Sequence, residues 1–221
     1  MPLIEKLIDK HDNFEVVRDK IVSILRDETI AQQALAVAGG KDPSQWKLEV
    51  YAERSNPWEK WLNSQVDRTP IVNVWLDNLN FNLANSNAVN RQKAEATYNI
   101  DCYGFGLARD VELGGHISGD KEAAYEAHRT TRLVRNILMS AYHKYLDLQG
   151  VVWGDREIQS ITGYQPELNG RQIQQVYAVR IKLGVAFNEF SPQFEGTPLK
   201  KVTVAVNDTE DDKLLDVEYN Y

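Results

Sequence analysis

At 221 residues, with 43% apolar and 26% charged side chains, the chain is long enough to bury a core without metal or disulfide staples. Its one cysteine, Cys102, excludes an intramolecular disulfide framework and fits a reducing compartment. A formal net charge of -7 argues against a surface built for sequence-independent phosphate binding, and no stretch approaches the roughly 18 consecutive apolar residues of a membrane-spanning helix.

The opening Met1-Pro2-Leu3-Ile4-Glu5-Lys6 lacks the basic-then-apolar pattern of a signal peptide, so a soluble, intracellular, protein-facing chain without membrane contact is expected. Residues 2–10 read as a short amphipathic piece carrying Ile4, Leu7 and Ile8. From Asn13 to Ala38, Phe14, Val17, Ile21, Ile24 and Leu25 recur at spacings of three and four, which predicts a helix with one apolar stripe. Asp12 or Asn13 caps its start, and Gly39-Gly40 ends it.

Extended structure is expected next. Trp46, Leu48, Val50 and Ala52 alternate with Lys47, Glu49, Tyr51 and Glu53, the period of a half-buried strand. Asn56-Pro57-Trp58 marks a turn, followed by a short stretch holding Trp61. Pro70 introduces a strand over residues 71–83 whose apolar parity changes from Val72, Val74 and Leu76 to Leu79, Phe81 and Leu83. One extra residue reverses which face each side chain meets, so a bulge is predicted near Asp77-Asn78. Residues 84–90, rich in Asn and Ser, read as a loop, and Ala96, Tyr98, Ile100 and Cys102 as the buried side of another strand.

Gly114, Gly115 and Gly119 mark a loop before a long helix over residues 120–148. Its stripe is Ala127, Val134, Ile137, Leu138, Ala141, Tyr145 and Leu148, and Gly150 closes it. A strand over residues 151–164, kinked at Gly154, leads through a turn ending in Asn169-Gly170 to the clearest strand in the chain. There Tyr177, Val179, Ile181, Leu183, Val185 and Phe187 share one parity, with Gln174, Arg180 and Lys182 opposite, so one face is expected buried and the other wet. Ser191-Pro192 and Thr197-Pro198 then break regular structure. Val202, Val204 and Val206 alternate before the acidic run 208–212, and Leu215, Val217, Tyr219 and Tyr221 alternate after it. These describe an extended arm with strand character.

The expected fold is α+β: a mostly antiparallel sheet with an N-terminal helix and one long central helix packed on one face, plus an extended C-terminal arm. Residues 1–190 make the domain, with an insertion at about 41–68, and residues 191–221 the arm.

Residues suited to chemistry are sparse. His11, His116, His128 and His143 are scattered, with no i,i+4 pair of histidines and no CxxC, so a zinc site has nothing to build on. No Gly-x-Ser-x-Gly elbow is present, and Cys102 sits on an apolar strand face where a thiol packs as a small hydrophobe. The run from Gly114 to Glu122 resembles a phosphate-binding loop with one residue inserted. Asp120 stands where the lysine belongs and Glu122 where a hydroxyl would meet magnesium. Two carboxylates there repel polyphosphate and complement the positive end of a helix, so the run reads as loop and cap. No catalytic residue, metal ligand or cofactor is expected, although with 32 Asp and Glu a pair meeting in space stays open.

One surface feature stands out. Arg129, Arg132 and Arg135 are spaced by three and form a basic stripe. It is either a solvated face partly neutralised by Glu122 and Glu126, or an electropositive surface for an acidic neighbour subunit or passing DNA. The acidic run 208–212 is one such neighbour.

A family resemblance rests on these segments: the helix beginning Asn13-Phe14-Glu15-Val16-Val17-Arg18-Asp19-Lys20-Ile21, Thr69-Pro70-Ile71-Val72-Asn73-Val74-Trp75, and the strand Ala96-Thr97-Tyr98-Asn99-Ile100-Asp101-Cys102-Tyr103. The helix from Asp120 and the hairpin into Val179-Arg180-Ile181-Lys182-Leu183 complete it. In element order and local flavour, over residues 13–190, the chain resembles the tail terminator, or tail completion, proteins of tailed bacteriophages. The resemblance implies a structural virion protein and no enzyme: a homohexameric ring, assembled in the host cytoplasm, that caps the tail tube protein, ends its polymerisation and meets the head-tail connector protein in the neck. In contractile tails it also implies a contact with the tail sheath protein, for which the arm residues Val202, Val204, Val206, Leu215, Val217, Tyr219 and Tyr221 are the candidate interface. DNA would pass through the ring's lumen. Three other readings fit the same residues: another neck, connector or tube-initiation protein, a small enzyme with a noncontiguous carboxylate site, and a nucleic-acid-binding module using Arg129, Arg132 and Arg135.

Overall fold

The alternating segments become the centre of the molecule. The computed structural model describes residues 9–63, 68–82, 91–111, 115–154, 156–168, 171–172 and 175–190. In chain order they form α1 (Asn13–Ala38), a 3-10 turn (Pro43–Trp46), β1 (Glu49–Ala52), a second 3-10 turn (Pro57–Glu59) running into the short α2 (Lys60–Asn63), β2 (Ile71–Asn82) and β3 (Arg91–Phe105). After these come β4 (Arg109–Val111), β5 (Gly115–Ile117), α3 (Gly119–Leu138), a third 3-10 turn (Ala141–His143), β6 (Glu157–Tyr164), β7 (Glu167–Leu168), β8 (Arg171–Gln172) and β9 (Val176–Phe190). Five strands build one sheet in the order β1-β2-β3-β9-β6, antiparallel except for β1 beside β2. The fold is the expected α+β arrangement, and Lys10–Ser191 forms one compact unit.

Pattern explains which face the helices cover. Ala94, Ala96, Tyr98, Ile100 and Cys102 of β3 share a parity and pair with Phe187, Val185, Leu183, Ile181 and Val179 of β9. All are buried. Against this face α1 lays Val17, Ile21, Ile24 and Leu25, and α3 lays Val134 and Leu138. Burial of each large aliphatic side chain contributes about 1.5–3 kcal/mol. The predicted bulge is present: Leu76 pairs with Tyr98 but Asn78 with Thr97, leaving Asp77 as the extra residue. It lets both Leu76 and Leu79 pack on the same core.

Side chains from distant sequence anchor the start of α1. The Asp12 N–H donates to the Glu15 carboxylate at 3.1 Å, half of a capping box. Glu189, near the end of β9, accepts from the N–H groups of Asn13 (3.0 Å) and Phe14 (3.3 Å), which lack intrahelical partners. Burial pushes the Glu189 carboxyl up, opposed by those same donors. The Tyr98 hydroxyl donates to the Phe14 carbonyl at 2.8 Å.

α3 meets the sheet at two glycines. A Cβ on Gly104 would lie 2.3 Å from the Ala123 carbonyl oxygen and 2.5 Å from the Ala127 nitrogen. One on Gly106 would lie 2.2 Å from the Gly119 carbonyl oxygen. Only glycine lets helix and strand backbones approach this closely.

Several expectations need correction. The central helix ends at Leu138 and not at residue 148. Ser140 turns extended, its Oγ accepts from the Tyr142 N–H at 3.4 Å, and Leu146 and Asp147 adopt positive φ of 49° and 52°. The guanidinium of Arg156 donates to the carbonyl of Leu138, the last residue of α3, and to that of Ser140, which also accepts from the His143 N–H. Tyr145 and Leu148 still pack on the core, so the helical spacing continued in a chain that had left the helix. Trp46 belongs to a 3-10 turn, started by Pro43 and by Asp42 accepting from the Ser44 N–H, and β1 begins only at Glu49. Where the glycines suggested a loop, β4 and β5 pair as a small hairpin. β6 begins at Glu157, with Val152 making only a single bridge to Phe187. Leu168 pairs with Arg171 across Asn169-Gly170, which itself lies outside the described residues. So do the loop at 84–90, most of the piece at 2–10, and the arm.

The sheet's second face is not simply wet. Trp58 and Trp61, in the segment read as an insertion, close with Ile71, Tyr103, Phe105, Val176 and Ala178 into a second apolar cluster. The insertion therefore supplies both an edge strand and half of a cover for the sheet.

Candidate interaction surfaces

The three predicted arginines are split by helical geometry. Each three-residue step turns the side chain by about 60° short of a full rotation, so Arg129 and Arg135 point about 120° apart. Arg129 pairs with Glu126 at 2.8 Å and donates to the Gln45 carbonyl, tying α3 to the first 3-10 turn. Arg132 and Arg135 are exposed and have no ion-pair partner among the described residues. Neither has a carboxylate three or four positions away. The exposed stripe of α3 is instead Lys121, Tyr125, His128, Arg132, Arg135 and then Met139, at alternating steps of four and three. Lys121 sits over the Tyr125 ring at 5.7 Å, and His128 lies against Tyr177 of β9. Sequence reasoning missed Lys121 and His128, although a heptad count back from Arg135 reaches both.

A second surface is apolar. Ile30, Leu35 and Val37, on the last turns of α1, are 66%, 64% and 63% exposed. Ile30 and Val37 share one side of α1 and Leu35 lies on another. A separate groove of about 680 Å³ between α1 and the end of α3 has a mixed lining that includes Glu28, Gln32, Trp46, Leu48, Asn136 and Ile137. Tyr142 projects from its turn almost fully exposed.

The sheet ends in two unequal edges. At β1, the Arg26 guanidinium of α1 donates twice to the Val50 carbonyl (2.6 and 3.2 Å), occupying an outward-facing acceptor. β6 has no neighbour on its outer side among the described residues. It carries one charge, Glu157, no proline, and an exposed Ile161. Such an edge is a template for strand addition. The arm candidates Val202, Val204, Val206, Leu215, Val217, Tyr219 and Tyr221 lie outside the described residues.

On the far face, Asp101 and Arg180 form a two-pronged pair (2.7 and 2.9 Å), with Arg180 between the rings of Trp75 (4.8 Å) and Tyr164 (5.1 Å). Trp75 Nε1 and the Tyr103 hydroxyl donate to the same carboxylate at 3.0 and 3.3 Å, and the Tyr164 hydroxyl donates to that of Tyr103 at 3.2 Å. Burial pushes both phenols up, Tyr164 to about 12, so they remain donors at neutral pH. Asp101 looked in sequence like an ordinary outward strand residue; only pairing with Arg180 across β3 and β9 reveals the cluster.

The remaining candidates are placed as follows. Cys102 is fully buried, and burial pushes its thiol up to about 12, far from the range of a reactive thiolate. Asp120 accepts from the Lys121 N–H at 2.8 Å, and Glu122 accepts from the Leu107 N–H and pairs with Arg109 at 2.9 Å. The carboxylates of the phosphate-loop near-miss thus serve the helix start and its neighbouring strand. His143 Nε2 meets Glu28 of α1 at 3.3 Å, while its buried Nδ1 makes no hydrogen bond and stands 3.6 Å from Asp147, and His116 meets Asp110 across the β4–β5 hairpin. Among the described residues, no group of three or more His, Cys, Asp or Glu is placed to hold a metal ion, and no helix is long and apolar enough to cross a membrane.

No protein-family model matches the chain, and no curated protein matches it.

Proposed function

We propose that this chain is a structural subunit of a phage particle: a tail terminator whose copies close into a hexameric ring on the end of the tail tube, stop its growth and meet the head connector. The observation that carries the reading is the architecture. A helix, an antiparallel pair with a bulge, a second helix and a closing hairpin follow one another in the order on which the family resemblance rests. They leave the outer faces of α1, α3 and β6 available to partners.

Ring closure needs heterologous contacts, in which one patch meets a different patch on the next copy. The apolar end of α1, the basic stripe of α3 and the free β6 edge differ in chemistry and lie on separate elements, as such contacts require. The tube, the connector and, in a contractile tail, the last sheath ring are the further partners of this reading, with DNA passing through the lumen.

Light scattering on the purified protein over a range of concentrations tests ring formation. A mass six times that of the chain is expected, and a single chain at every concentration contradicts it.

A further inference from the structure

We infer that the exposed stripe of α3 receives the acidic segment 208–212 of a neighbouring copy, so that arm and helix form one of the ring's heterologous contacts. The inference rests on the ring reading above and deepens it by naming the two surfaces that meet. On the receiving side, Arg132 and Arg135 are exposed and without an acidic partner among the described residues, and Lys121 and His128 extend the same stripe. Arg132 and Arg135 thus place two positive charges one turn apart on a chain whose net charge is -7. Like charges one turn apart destabilise a helix slightly, a cost that an anionic partner removes.

On the donating side, Asp208, Glu210, Asp211 and Asp212 place four carboxylates within five residues. From Phe190, where β9 ends, an extended chain reaches Asp208 over at most about 60 Å. By the size scaling of domains, the body is about 40 Å across, so the segment can span to the next copy. Basic stripe and acidic segment are two different patches on one chain, which is what head-to-tail association in a ring requires.

Charge reversal on each side tests the contact. One variant carries Arg132→Glu with Arg135→Glu, the other Asp208→Lys, Asp211→Lys and Asp212→Lys. Arg132 and Arg135 are exposed, and thermal melting should find both variants folded as the parent is. The parent is expected to form rings at low salt and to lose them as salt rises. In either variant alone, the concentration for half-assembly should rise about tenfold or more.

An equimolar mixture of the two variants should restore the rings, because acidic arms then face basic stripes and basic arms face acidic stripes in alternation. The milder pair Arg132→Gln with Arg135→Gln should weaken assembly less than the reversal does. Variants that assemble as the parent does would overturn the contact while leaving the ring intact. A mixture that fails to restore assembly would overturn its placement between copies. A parent protein that never assembles would overturn the ring itself and this contact with it.

Discussion

Gly104→Val is expected to destabilise the protein by about 3 kcal/mol or more, at the upper end of what overpacking costs, and to leave much of it unfolded or aggregated on expression. The reason is where the new atoms would go. The Cβ position lies 2.3 Å from a carbonyl oxygen and 2.5 Å from a backbone nitrogen of α3, and backbone cannot swing aside as a side chain can. Relief requires lifting the N-terminal half of α3 from the sheet, which uncovers Ala123 and Ala127. Gly119→Ala provides the comparison, since its nearest backbone atoms stand at 3.0 to 3.3 Å and a shift of a few tenths of an ångström suffices. Urea unfolding of the two variants should rank Gly104→Val far below Gly119→Ala. Equal stabilities would mean that the helix does not sit on the strand as described.

Arg180→Ala should cost about 2–3 kcal/mol, less than breaking a fully buried ion pair because the Arg180 side chain is 30% exposed. The Asp101 side chain is 3% exposed, and after the substitution its carboxylate keeps only the neutral donors Trp75 Nε1 and the Tyr103 hydroxyl. The cavity between the Trp75 and Tyr164 rings adds to the loss. Arg180→Lys should recover only part of it, because an ammonium cannot make both prongs of the pair or lie flat between two rings. Removing both charges with Asp101→Leu and Arg180→Met should cost much less than Arg180→Ala alone, since apolar groups of similar volume replace such pairs with little penalty. A double-mutant cycle by urea unfolding reads this coupling directly. An Arg180→Ala protein within about 1 kcal/mol of the parent would show that the pair is solvated and of small consequence.

Much of the fold was legible because its signals are local. The spacing of Val17, Ile21, Ile24 and Leu25 marked α1 to the residue, and the parity change around Asp77 marked the bulge, since both periods follow from backbone geometry alone. The early end of α3 was not legible. Ala141, Tyr145 and Leu148 keep a helical spacing, and the stop comes from the Ser140 turn and from Arg156 returning from beyond the turn to donate to the Leu138 and Ser140 carbonyls. The same limit hid the Asp101–Arg180 cluster, which exists only through the pairing of β3 with β9. On the candidate surface, sequence spacing found the arginines, but not that Arg129 is drawn away to Glu126 and Gln45 while Lys121 and His128 line up with Arg132 and Arg135.

The proposed role is tested most directly by watching tail tubes grow. Purified protein added to polymerising tube subunits, with the products viewed by electron microscopy, should yield tubes that stop elongating and carry a ring of this protein at one end. Adding more subunits should then leave their length unchanged. Tubes that lengthen at the same rate with bare ends, whatever the amount of protein supplied, would contradict the account.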